Sequence, residues 1–143
     1  MRMYEKLSSL KKRLQQMKQN RTTRQNGQTF HFSPFSKKQK QVLTWWCKES
    51  PVHDKDGIIA DGAIRSGKTV SMSLSFVMWA MSSFAGQNFA MCGKTIGSFR
   101  RNVLFWLKLM LRSRGYSITD HRADNLVVVR KNGIENYFYI FGG

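Results

Sequence analysis

Residues 57–73 read GIIADGAIRSGKTVSMS, and within them Gly62, Gly67, Lys68 and Thr69 stand at the spacing G-x-x-x-x-G-K-T. That spacing has a chemical meaning in one local context. A buried strand must run into it and a helix must leave it, so that backbone N–H groups of the turn and of the helix N-terminus converge on an anion. Ile58, Ile59 and Ala60 supply the expected strand, and the apolar run from Lys68 to about Ser82 the expected helix. Gly62 and Gly67 permit backbone angles and close approach that a side chain would block. The stretch therefore reads as a phosphate-binding loop made of Gly62, Ala63, Ile64, Arg65, Ser66, Gly67, Lys68 and Thr69. In such a loop Lys68 serves the β- and γ-phosphates of a nucleoside triphosphate and Thr69 is the Mg²⁺ ligand. Arg65 is a candidate for charge stabilisation at the γ-phosphate, the alternative being a solvent-facing loop arginine. Lys68 and Arg65 are thus the candidate catalytic residues.

Working outward, Asn88–Cys92 (NFAMC) reads as a second short strand. Ser98–Arg114 reads as an amphipathic helix with Val103, Leu104, Trp106, Leu107 and Leu111 inward. Strand, helix, strand, helix is the pattern of a parallel sheet covered by helices, an α/β class. Asn132-Gly133 between two runs of β-formers is a strong hairpin signal, so an antiparallel element follows. Gly93-Lys94-Thr95 is a second GKT, but position 88 is Asn88, so it fails as a phosphate loop. It reads as a loop end on the ligand-facing side of the sheet: a contact for DNA, a sensor of the nucleotide or a plain turn.

Upstream, Ser36 is a plausible N-cap for a helix whose apolar side holds Val42, Leu43, Trp45 and Trp46, the tryptophans being read as core. Residues 1–29 form a separate segment, a basic Gln-rich helix with Met3, Leu7, Leu10, Leu14 and Met17 in heptad steps, followed by a polar linker. The expected division is therefore 1–29 and 30–143.

The 143 residues carry 24 Lys and Arg against 8 Asp and Glu, a net charge of +16. Twelve of the basic residues precede position 49, where Glu5 is the single acid. Such an excess raises the local concentration of polyanions, which makes nucleic acid the first partner to consider. Lys94, Arg100 and Arg101 are candidate phosphate contacts, with a solvated helix face as the alternative for the arginines. Cys47 and Cys92 lack C-x-x-C spacing and read as buried small hydrophobes in a reducing cytoplasm. Val70–Ala85 is broken by five serines and reads as a core helix rather than a membrane span.

Taken in order, the blocks FSPFSKKQKQVLTWW, GIIADGAIRSGKTVSMSLSFVMWAM, NFAMCGKTIGSFRRNV and NYFYIFGG resemble the N-terminal part of the bacteriophage large terminase subunit, in its PBSX-like group. The resemblance covers residues from about Phe30 onward. It implies an ASCE-type P-loop NTPase fold, here a partial sheet with flanking helices and a β-hairpin. It implies ATP and Mg²⁺ as cofactors, and Gln39 as the adenine-recognising residue of a Q-motif. A carboxamide suits that role because it offers both donor and acceptor. The implied activity is ATP-driven translocation of double-stranded DNA into a procapsid in the host bacterial cytoplasm, alongside a small subunit, a portal protein and further copies of the chain. The family also carries a Walker B strand ending in acids and a nuclease domain. After the loop this sequence offers only Asp120, Asp124 and Glu135, none ending an apolar run. The expectation is therefore an incomplete ATPase domain that turns nucleotide over poorly by itself. A non-catalytic nucleic-acid-binding protein with a degenerate nucleotide site, or a piece of a helicase, is the alternative.

Overall fold

The computed structural model describes residues 34–64 and 67–143. The expected N-terminal helix and linker of residues 1–29, together with Arg65 and Ser66, lie outside the described residues.

Helix α1 is Lys37–Leu43, started by Ser36 in an extended conformation. The Ser36 hydroxyl accepts from the Gln39 amide at 3.2 Å, and Gln39 Oε1 accepts from the Ser36 amide at 2.9 Å. This reciprocal capping box satisfies two N–H groups that a helix start otherwise leaves without partners. Helix α2, Lys68–Ser83, is the central core helix, with Leu74, Val77, Ala80 and Met81 buried. Two of its serines, Ser71 and Ser75, are buried as well, and each has a carbonyl to bond. Ser71 Oγ donates to the Gly67 oxygen at 2.9 Å, and Ser75 Oγ reaches across to the Val42 oxygen at 2.6 Å. The second bond fastens the end of α1 to the middle of α2. No helix among the described residues is long and apolar enough to cross a membrane.

Strands β1 (Asn88–Gly93), β2 (Ser117–His121), β3 (Leu126–Lys131) and β4 (Ile134–Gly142) form one sheet in the order β1-β4-β3-β2. β1 and β4 are parallel, while β3 pairs antiparallel with both β4 and β2. The hairpin expected at Asn132-Gly133 is present. Both residues have positive φ, 51° and 78°, as a two-residue turn that follows strand twist demands. The sheet is thus mixed rather than parallel. Phe138 and Ile140 of β4 and Val127 and Val129 of β3 meet α2 in one buried cluster.

The run between β1 and β2 departs from one continuous helix. It comprises α3 (Ile96–Phe99), a π-helical turn (Arg100–Leu104) and α4 (Phe105–Ser113). Leu104, Leu107, Met110 and Leu111 are buried, whereas Val103 and Trp106 are only half-buried. Gly142 lets α3 sit close against the end of β4, since a Cβ there would lie 2.7 Å from the Ile96 amide nitrogen.

Three expectations are corrected. Ile58–Ala60 forms no strand, and Ile59 is 97% exposed. A strand is made by its ladder partners; β4 is already paired on both sides, and residues 58–60 join neither edge of the sheet. Trp45 and Trp46 are half-buried rather than core, Trp45 lying 6.2 Å from the Trp79 ring and Trp46 Nε1 donating to the Leu43 oxygen. Cys92 is exposed, because it alternates on β1 with the buried Met91, and Cys47 is only half-buried.

Asn136 is fully buried and joins α2 to the sheet. Its Nδ2 donates to the oxygens of Phe84 (2.9 Å) and Ala80 (3.2 Å), and its Oδ1 accepts from the Gln87 amide (2.9 Å). Asn136→Ala should leave those groups without partners and cost about 2–4 kcal/mol, read as a lower urea midpoint with unchanged slope.

Candidate functional site

The phosphate-loop sequence does open a helix. Gly67 is the N-cap of α2, and its φ of 76° lies in the left-handed region that favours glycine. As glycine it offers no side-chain cap of its own, and α2 runs on from it for 16 residues. Gly62 also has positive φ, 149°, and its amide donates to Asp61 Oδ1 at 2.8 Å. Lys68 turns back over the loop, where its Nζ donates to the oxygens of Gly62 and Ala63, both at 2.6 Å. The ammonium thus lies where the loop main chain and the helix start converge. Ile64 is 91% exposed. Arg65 and Ser66, the candidates between Ile64 and Gly67, are not among the described residues.

Gln39 arrives from α1, 28 positions before Gly67 in the chain. A Cβ on Gly67 would collide with Gln39 Nε2, so the carboxamide rests directly on the Gly67 backbone. Its oxygen is the capping-box acceptor described above. Gly67 is therefore favoured by its own φ, and a side chain there would also require the Gln39 amide to shift. The spacing Ser36-x-x-Gln39 is a capping-box pattern and was available as a signal for this second role. Nothing local announces that the same amide meets Gly67.

Thr69 is exposed at the start of α2 and shares a cleft of about 390 Å³ with Ser73, Cys92, Lys94, Ser98 and Asn102. The two GKT segments thus face one cleft. Thr95 of the second segment has a structural role as the N-cap of α3, accepting from the Ser98 amide at 3.1 Å. Lys94 is exposed and remains the side chain of that segment directed to the cleft.

Arg100 and Arg101 differ. Arg101 is exposed. The Arg100 side chain is only 12% exposed, and Nη1 donates to both oxygens of Asp120, at 2.8 and 3.0 Å. Lys108 Nζ donates to the same carboxylate at 2.9 Å. Arg100 therefore does not sit on a solvated helix face, since Asp120 draws its side chain inward. Burial pushes the Asp120 carboxyl up, but the hydrogen bonds and charges of Arg100 and Lys108 outweigh it and hold the group below the ordinary aspartate value. Glu135 pairs with Arg130 and Tyr137. No group of His, Cys, Asp and Glu among the described residues is placed to hold a metal ion.

No family model and no curated protein matches the chain. Solved structures do. The large terminase of a thermophilic bacteriophage matches at 64% identity with a TM-score of 0.75, over 77% of this chain. The same protein in complex with ADP and with ATP-gamma-S matches at 65% identity with TM-scores of 0.75 and 0.74, over 76% of this chain. The chain spans 27–28% of the length of those proteins.

Two outcomes test this geometry. Gly67→Ala should destabilise the chain by about 1–3 kcal/mol, and adding Gln39→Ala should recover only the part due to the collision, leaving the strain of positive φ. A double-mutant cycle in urea measures the split. Because the Asp120 carboxyl is depressed in the folded chain, its contribution is present above its unfolded value and is lost as pH falls through the lower folded one. Asp120→Asn should lower stability at neutral pH and flatten the acid loss below about pH 4, as followed by thermal unfolding across pH.

Proposed function

The chain belongs to the large terminase family of bacteriophages, and from that footing we propose that it is the ATP-binding part of a motor that moves double-stranded DNA into a procapsid. The observation that carries this reading is the junction at the start of α2. The N-terminus of α2, left-handed Gly67 and the inward Lys68 ammonium meet at the loop. Helix N–H groups and a lysine are the donors a triphosphate needs. The phage relatives in complex with ADP and ATP-gamma-S support the same assignment.

In this reading the P-loop NTPase fold is shared with those relatives, and residues 62–69 hold the phosphates. Lys68 neutralises phosphate charge, Arg65 adds a second cation and Thr69 supplies the hydroxyl for Mg²⁺. ATP contributes the phosphoanhydride bond whose hydrolysis does the work. Gln39, whose amide nitrogen lies beside Gly67, is assigned to the adenine edge, since a carboxamide offers both donor and acceptor. Lys94 and Arg101 are exposed cations for the DNA backbone, contacts that follow charge and not sequence. A small subunit, a portal protein and further copies of the chain complete the motor in the host cytoplasm.

Saturating Mg-ATP, at about a hundred times Kd, should add about 2.7 kcal/mol to the stability of the chain, a rise of roughly 5 to 15 °C in Tm. Lys68→Ala should remove the shift while leaving the ligand-free Tm close to the parent value. A parent chain with no nucleotide-dependent shift by differential scanning fluorimetry would refute the assignment.

A further inference from the structure

The π-helical turn divides its neighbours between two cavities. Ser98, Phe99, Asn102 and Val103 line the cleft shared with Thr69 and Lys94. Arg100, Arg101, Leu104 and Phe105 line a second cavity of about 310 Å³, closed by Lys108, Asp120 and Arg122. Alternation of this kind follows from helical geometry, since residues three to four apart share a face.

The second cavity is built from charge. Four cations, Arg100, Arg101, Lys108 and Arg122, stand against the single carboxylate of Asp120. That carboxylate accepts from Arg100 Nη1 and from Lys108 Nζ. Arg100 Nη2 is buried and has no acceptor. Buried donors are almost always paired, so this one stands out among the groups lining the cavity. Arg101 and Arg122 are exposed. Phe105, also lining the cavity, is half exposed and stands edge-on to Trp106, with ring centroids 5.1 Å apart. Guanidinium groups beside an open aromatic ring are the pairing that nucleotides recognise, phosphate on the cations and base on the ring.

We propose that this cavity is a second phosphate site, distinct from the loop before α2, that takes one nucleotide unit, either free or within a nucleic-acid strand. Arg101, Arg122 and Lys108 contact the phosphate, Arg100 is held in place by Asp120, and Phe105 offers the face on which the base lies. The proposal rests on the reading that this chain handles nucleotides and nucleic acid. It does not use Lys68, which lets the two assignments fail separately.

The test is made in the full 143-residue chain carrying Lys68→Ala, so that the loop is disabled. Amide resonances of Arg100–Phe105 and Asp120–Arg122 are followed by NMR while ADP, a short single-stranded oligonucleotide and a short duplex are added in turn. At least one probe should give saturable shifts at these residues. The Arg101→Ala, Arg122→Ala pair should weaken the fitted affinity about tenfold or more, and the Arg101→Lys, Arg122→Lys pair should restore it to within about threefold of the parent. Both arginines are exposed, so these variants keep the core intact. Shifts with ADP identify a free nucleotide as the ligand, and shifts with oligonucleotides alone identify the strand backbone. The proposal is overturned if no probe shifts these residues, or if the alanine pair leaves every affinity within about twofold.

Discussion

The carboxamide of Gln39 resting on the bare Cα of Gly67 is the contact on which the loop region depends. It brings together two segments that are distant in the chain, and a side chain at the N-cap of α2 would have to displace it. Gly67 is also left-handed, a backbone conformation that favours glycine at this N-cap. Ser71 takes the Gly67 carbonyl and Ser75 takes the Val42 carbonyl, which sets α1, the loop and α2 in one fixed relation. Lys68 is then directed inward to the loop carbonyls rather than outward along the helix.

The other polar groups in the core obey the same rule. Buried hydrogen-bonding groups are costly unless satisfied, and Asn136 meets that requirement by bonding the end of α2 and the strand-entry residue Gln87 together. Around it Phe76, Trp79, Phe84, Phe89 and Phe138 form a chain of ring contacts, with neighbouring centroids between 5.2 and 6.0 Å. The sheet is thereby attached to α2 by one polar clasp and one aromatic layer. The cation excess of the chain is handled locally in the same manner: Asp120 draws Arg100 and Lys108 inward, while Arg101 and Arg122 stay at the surface.

Much of this was legible in the residues. Helix α2, strand β1 and the Asn132-Gly133 hairpin follow from apolar periodicity and from a dipeptide that accepts positive φ, all short-range effects. The phosphate-loop spacing marked the place where the loop meets its helix, and Ser36 marked the start of α1. The strand over Ile58–Ala60 was misjudged because a β-branched run reports preference, while a strand exists only with a ladder partner. The pairing of Arg100 was not legible because a helix-face position does not reveal the carboxylate 20 residues later that accepts from it. The π-helical turn had no signal in the pattern at all.

What the sequence determined by itself is therefore local: turn chemistry, helix starts, the order of elements and a family resemblance carried by ordered blocks. What only the tertiary structure decided is which distant groups meet. The sheet order placed β1 beside β4 and closed the hairpin against it. The packing of α1 on α2 brought Gln39 to Gly67, and the turn after β1 set Lys94 across a cleft from Thr69. Backbone propensity acts over a few residues, whereas these meetings depend on burial and on hydrogen bonds between segments tens of residues apart, which a single chain reading does not contain.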